Sequence, residues 1–198
     1  MIAEVLEDLG GGWEAVDRIA VGVGPGTFTG LRIGIATARA LARAREIPIV
    51  GVSSLQALAA GAGGWAAPDG AADPFLVLAV IDARRGEAFV AAWRGRELWL
   101  EPCALGPEAL AVEVGRLADA NGAAPLAIGD GALRFKAQLE VAGAVLPPED
   151  SSLHRISAIN HCRLAAGLHA TTPADVEPAY VRAPDAEIAY RERHRGPK

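Results

Sequence analysis

Cysteine is scarce: Cys103 and Cys162 are the two present in 198 residues, and they lie far apart. That excludes the close-paired spacing used by zinc sites and redox motifs, and two buried thiols in a reducing compartment are expected instead. Long apolar runs are missing too, since none reaches the roughly 18 residues that cross a bilayer. The first eight residues, Met1 to Asp8, lack the basic start and continuous apolar stretch of a secretory signal, so a cytoplasmic location with no membrane contact is expected. Positive charge is also in short supply. At a net charge of −5 the whole molecule repels phosphate, and any contact with RNA is expected to belong to a partner. The exception is residues 181–198, where Arg182, Arg191, Arg193, Arg195 and Lys198 outnumber Asp185, Glu187 and Glu192.

What is present is apolar and patterned. Hydrophobic residues make up 51% of the chain, enough for a core of ordinary size in one domain or two small ones. Ile2, Val5, Leu6 and Leu9 recur at helical spacing and meet Gly10-Gly11-Gly12, which stops the helix. A short β-branched run at 19–23 is followed by a Gly/Pro loop and a long helix over about 30–45. Pro48 then precedes a second strand at 49–52 and a helix at 54–60, and a strand–helix–strand crossover of this length implies parallel pairing. Residues 61–74 are dense in turn formers and read as a linker. Beyond them come three antiparallel strands at 75–81, 88–93 and 97–100, with a charged turn at 82–87. A helix opens at Pro107 and closes at Asn121-Gly122, a strand at 126–129 leads into another helix, and 157–168 reads as the last long helix. The alternation suits an α/β protein with two sheet-centred lobes, divided at residues 1–74 and 75–198.

Few segments could carry chemistry. Gly24-Pro25-Gly26-Thr27-Phe28-Thr29-Gly30 joins a strand to a helix N-terminus, where free N–H groups can cradle an anion, but its glycines fit neither the dinucleotide nor the P-loop spacing. A tight structural turn is the favoured reading. On the helix that follows, Gly30, Gly34 and Ala38 are spaced four apart, so that another backbone could approach closely, and Leu31, Ile33, Ile35 and Leu41 spread too widely for one contact surface. Ser53 and Ser54 stand between strand and helix like a hydrolase nucleophile, without the second glycine of the nucleophile elbow. His154, His161 and His169 are too far apart on a helix to share one metal, and each is expected to be solvated or capping. Asp82 and Glu87 are expected to serve a charged turn in preference to an acid/base pair.

The stretch from Ala20 to Ala60, with Gly24-Pro25-Gly26-Thr27-Phe28-Thr29-Gly30-Leu31-Arg32-Ile33-Gly34 and Gly51-Val52-Ser53-Ser54-Leu55, resembles the TsaB family. Asp82-Ala83-Arg84-Arg85-Gly86-Glu87 and Pro178-Ala179-Tyr180-Val181-Arg182 agree with it in order and spacing, and Gly129-Asp130-Gly131-Ala132 is a weaker fourth segment. The resemblance implies the fold of the actin, sugar-kinase and heat-shock ATPase superfamily. It also implies a non-catalytic dimerisation subunit in the bacterial complex that makes threonylcarbamoyladenosine in tRNA. The implied partners are the catalytic paralogue TsaD and a small ATPase subunit, with a homodimer when the chain is alone and tRNA reached only through the complex.

In that paralogue a histidine pair on the matching helix binds metal, whereas here Ser54 and Leu58 stand at those positions, so no metal, cofactor or catalytic residue is expected. The partner interface is expected on the opening helix and the long helix, at Ile2, Val5, Leu6, Gly30, Leu31, Gly34, Ala38 and Leu41. TsaB-like proteins begin with two or three strands ahead of the first helix, yet Met1 already lies inside that helix. The first lobe is therefore expected to lack its N-terminal strands, through a misplaced start codon or a fragment. Ser53 or Ser54 as a peptidase-like nucleophile and an autonomous nucleotide-binding protein are the alternative readings.

Overall fold

The computed structural model of the protein describes residues 2–8, 10–63 and 75–182. Leu9, most of the 61–74 linker and the basic tail beyond Arg182 lie outside the described residues. The chain is α/β, with a two-stranded sheet and a four-stranded one. An opening helix α1 (Ile2–Asp8) has no buried side chain and leads through a short 3-10 turn, Gly12–Ala15, into β1 (Ile19–Gly24). The long helix α2 (Phe28–Arg45) returns the chain to β2 (Ile49–Ser53), which runs parallel to β1 in the register Ile19↔Ile49 to Gly22↔Val52. Helix α3 (Ser54–Ala60) follows at once, with the Ser53 hydroxyl accepting the Gln56 N–H as its N-cap.

Two helical layers cover this small sheet. On one face Ile35, Ala38 and Ala42 of α2 pack with Ile49, Val21, Val23 and Val176, and on the other Ala57 and the last long helix α7 (Ala158–Ala166) pack on Val50 and Val52. The outer edge of β1 has no strand partner among the described residues.

The second sheet has the order β5-β4-β3-β6, built from β3 (Leu76–Arg84), β4 (Glu87–Arg94), β5 (Glu97–Leu105) and β6 (Leu126–Ile128). Alternation along β3 splits the core as period-two geometry requires. Leu76, Leu78 and Val80 face α4 (Pro107–Asn121) and the helices α5 (Asp130–Arg134) and α6 (Lys136–Val141), whereas Val77, Ala79 and Ile81 face Leu55, Leu58 and Ala59 of α3. Helix α3 therefore lies between the two sheets. Strand β5 outruns its expected end because a register break between Val90 and Ala92 places Pro102 at an irregularity on an edge strand, where a missing N–H costs nothing.

Two expectations are corrected here. Cys162 is exposed and Cys103 half-buried, so the thiols are not both interior, because Cys162 falls on the outer face of α7 while Asn160, His161 and Leu164 fill the inner one. The histidines are not all solvated. His154 is 5% exposed with Nδ1 3.0 Å from the Gly129 carbonyl, and His161 is 9% exposed with Nδ1 3.0 Å from the Ser157 carbonyl, so both are buried hydrogen-bonding groups. His154 stands in a 3-10 turn, Ser152–His154, rather than on the helix of His161.

Burial, with the Glu113 carboxylate adding to it, pushes the Cys103 thiol up from its ordinary value. Near pH 8 iodoacetamide should therefore label Cys162 first, with Cys103 lagging by roughly tenfold as its thiolate fraction falls. Site-resolved mass spectrometry over time checks the order. Gly129, between β6 and α5, carries the close approach of that junction to β3: its φ is +107°, and a Cβ there would stand 2.1 Å from the Val80 carbonyl oxygen. Gly129→Ala should cost about 3 kcal/mol or prevent folding, from strain and overpacking together. A denaturant midpoint indistinguishable from that of the parent protein would refute this.

Candidate functional site

The three segments singled out in the sequence converge. The glycine loop at the end of β1, the β3–β4 hairpin and residues 178–182 line one cleft of about 350 Å³, with Pro25, Phe28, Leu31, Asp82, Arg84 and Arg182 among its walls. Each wall has a local cause. The loop turns sharply because Gly24 adopts φ +118°, and a Cβ there would press on the Ala179 carbonyl oxygen at 2.8 Å, so residue 24 must be glycine for the C-terminal segment to cross it. The hairpin closes on the two residues Arg85-Gly86, at φ 53° and 82°, the left-handed pair that matches strand twist. Arg84 is left-handed as well at φ 63°, with its N–H held by Asp82 Oδ1 at 2.9 Å. The hairpin thus stores backbone strain of the kind that a side-chain hydrogen bond must offset.

Asp82 organises the charge. Its side chain is 8% exposed, and Oδ2 accepts from Arg84 at 3.1 Å and Arg134 at 3.0 Å, so the buried carboxylate is paired as burial of a charge requires. Its own N–H donates to Asp130 Oδ1 at 3.1 Å. Glu87 at the other end of the turn is paired with Arg182, whose guanidinium also donates to the Ala83 carbonyl at 3.2 Å and lies 5.8 Å from the Phe89 ring centroid. At the cleft mouth Arg32 sits 3.8 Å over the Phe28 ring and donates from Nε to the Tyr180 hydroxyl at 3.1 Å, and Phe28 and Tyr180 stack at 5.7 Å. Asp82 and Glu87 are each held by guanidinium partners, as a structural charged turn would hold them.

The other sequence candidates disperse. Thr27, the residue before α2, makes no side-chain cap, and its Oγ1 would lie 2.7 Å from a Cβ on Gly30, so the first turn is closed around Thr27 and Gly30. Gly26 on the loop and Thr29 in the first turn of α2 are exposed. Ser53 is occupied as a cap, Ser54 is 7% exposed, and Leu58 is 2% exposed in the core between the sheets. No cluster of three metal-ligating side chains occurs among the described residues.

On the expected interface, Ile2 and Val5 are exposed at 48% and 58%, and Leu6 is half-buried. Gly30 and Gly34 are exposed, with nothing within 4 Å of where a Gly34 Cβ would stand. Ala38 corrects the expectation: at 7% exposure it is packed into the core between α2 and the smaller sheet, because it shares the inner face of α2 with Ile35 and Ala42. Leu31 turns toward Gly24 and Gly26, and Leu41 is half-buried. Sequence reasoning missed Ile33 as a site residue, which is 62% exposed beside Gly34, and Arg134, which reaches Asp82 from α5. The position of Arg134, four residues after Asp130 on a short helix, was the available signal.

These segments are also where the chain matches known proteins. A family profile described as TsaD: tRNA N6-adenosine threonylcarbamoyltransferase covers residues 1–105, more than half of the sequence. The tRNA threonylcarbamoyladenosine biosynthesis protein TsaB of Escherichia coli is 42% identical over 97 residues, 49% of this chain and 39% of that protein. The chain belongs to the TsaB (YeaZ) family. An uncharacterised Mycobacterium tuberculosis protein is 34% identical over 178 residues, 87% of this chain and 67% of that one. Among solved structures, YeaZ from Pseudomonas aeruginosa superposes with a TM-score of 0.66 at 29% identity, over 90% of this chain and 82% of its own. A second P. aeruginosa structure, described as an uncharacterised protein similar to peptidase YeaZ, gives 0.68 at 31% identity over 92% and 81%. The matched stretch spans about two-fifths of the length of E. coli TsaB, so the activity of the whole protein does not transfer with the family.

The family match covers the glycine loop and the hairpin, and the Asp82 carboxylate anchors the hairpin to Arg134 of α5. Asp82→Asn should lower stability by about 1 kcal/mol, because the carboxylate, 8% exposed, loses two guanidinium partners whose own side chains, 71% and 46% exposed, are already partly screened by solvent. Denaturant unfolding with and without 0.5 M salt tests it: added salt should shrink the loss in part, because the guanidiniums are open to solvent while the carboxylate is not. An unchanged denaturant midpoint at low salt would refute it.

Proposed function

We propose that this chain is a non-catalytic scaffold subunit that supports a TsaD-like catalytic paralogue in threonylcarbamoyl transfer to the anticodon-adjacent adenosine of tRNA. It works in the cytoplasm within an actin and sugar-kinase type of fold. The observation that carries the reading is the outer face of α2, where Gly30, Ile33 and Gly34 lie exposed side by side and the space over Gly34 is open. An exposed isoleucine flanked by two glycines lets a second helix approach to backbone contact while burying an apolar anchor. Ile2 and Val5 of α1 extend the apolar surface available to a partner.

Chemistry belongs to the partner in this reading. Ser54 and Leu58 stand where the paralogue places its metal-binding histidines, and leucine offers no ligand atom. A small ATPase subunit joins the same complex, the chain pairs with itself when alone, and tRNA is reached only through the complex. A net charge of −5 agrees with that division of labour.

Substitution at Gly34 tests the docking face without touching the fold. Gly34→Leu should leave the free chain as stable or slightly more so, since glycine in a helix interior costs about 1 kcal/mol. It should weaken capture of a co-expressed TsaD-like partner by roughly tenfold or more, as bulk inserted at a close contact costs 1–3 kcal/mol. Ala38→Glu should instead unfold the free chain, because it drives a charge into the α2 core. Undiminished capture by folded Gly34→Leu protein would place the partner on another surface.

A further inference from the structure

Residues 176–182 run from the core of one lobe to the hairpin of the other, and each side chain that the run plants has a defined seat. Val176, 4% exposed, is packed with Ile35, Ala38 and Ile49 beneath α2. Ala179 donates its N–H to the Val23 carbonyl at 2.8 Å, locking the run to the end of β1. Tyr180 stacks on Phe28 and accepts from Arg32, both in the first two turns of α2. Two residues later Arg182 pairs with Glu87 and donates to Ala83, both in the β3–β4 hairpin.

Helix α2 itself packs on β1 and β2, within its own lobe. Its first turns therefore meet the hairpin through this short run, which spans at most about 7 Å between residues 180 and 182 at full extension. A swing of the hairpin away from α2 by more than the slack of two side chains must break one seat or the other. Among the described residues, α3 joins the two sheets elsewhere, with Val181 packed against the same cluster, and any opening of the cleft would turn about that contact.

We infer that Tyr180 and Arg182 are positioning residues, the two pins of a clamp that fixes α2 against the β3–β4 hairpin and sets the width of the cleft between them. Arg182 holds the hairpin by a charged fork and Tyr180 holds the helix by stacking and a hydroxyl acceptor. The orientation of the exposed α2 face relative to the second lobe is thus fixed before any partner arrives. The clamp is a property of the free chain, and it stands whether or not α2 is the docking face.

The test reads distance, not activity. Nitroxide labels at Thr37→Cys on the outer face of α2 and Val112→Cys on α4, 73% exposed, report the spacing of the lobes when Cys103 and Cys162 are replaced by serine. Pulsed electron–electron resonance on the otherwise unaltered chain should give one narrow distribution. Tyr180→Ala with Arg182→Ala should broaden it roughly twofold as hinge opening becomes accessible. The exchanged pair Glu87→Arg with Arg182→Glu, in a chain that keeps Tyr180, should restore the narrow distribution. If the alanine pair does not fold, Glu87→Gln, which leaves residues 176–182 intact, should broaden it to a lesser extent. An unchanged width in a folded pin-less variant overturns the clamp, and so does a broadening that the exchanged pair fails to repair.

Discussion

Everything in this molecule is arranged around α3, a helix of seven residues whose two sides face different sheets. Leu55, Leu58 and Ala59 lie against β3 and β4, while Ala57 and Ala60 lie with β2 and α7. Four apolar side chains of this short helix are buried to 2% exposure or less, Gln56 is half-buried, and the Ser53 hydroxyl caps its first turn. Because the helix is shared, the two sheets cannot be repacked independently. Gly129 and Gly131 are the complementary feature, since β6 and α5 reach the same region only where no Cβ intrudes.

The second level of order is electrostatic and local. A protein with net charge −5 concentrates guanidiniums around one hairpin, where Arg84, Arg134 and Arg182 neutralise Asp82 and Glu87. Two consecutive arginines with left-handed backbone persist there because a carboxylate two residues back takes the Arg84 N–H and one of its guanidinium nitrogens. The cleft walls are consequently held by interactions internal to the chain, and the polar groups that face it are largely spoken for.

Much of this was legible in the residues. The crossover of β1, α2 and β2, the meander and the helix from Pro107 to Asn121 each carry a local signature, whether periodicity, a breaker or a helix-terminal residue. What stayed hidden depends on which side of an element faces inward. Ala38 reads as part of a small-residue stripe with Gly34, but one step of 40° around the helix takes it from open space into the core. His154 and His161 look like surface residues in a polar stretch; the tertiary fold supplies the Gly129 carbonyl that justifies burying His154, whereas His161 turns back to the Ser157 carbonyl at the start of its own helix. The meeting of Tyr180 with Arg32 spans 148 residues and has no local signature at all.

The irregularity at Pro102 has a colloidal consequence. Glutamate at 97 and 101 and proline at 102 interrupt the outer margin of β5, and at the opposite margin residue Val145 bridges β6, with hydrogen bonds to Ala127 and Pro125. Both borders of the larger sheet are thereby closed to further growth. The smaller sheet has no such guard on the outer side of β1 among the described residues. Among the described residues, the backbone groups open to strand-to-strand association between copies therefore lie along the outer side of β1, at one pole of the described structure.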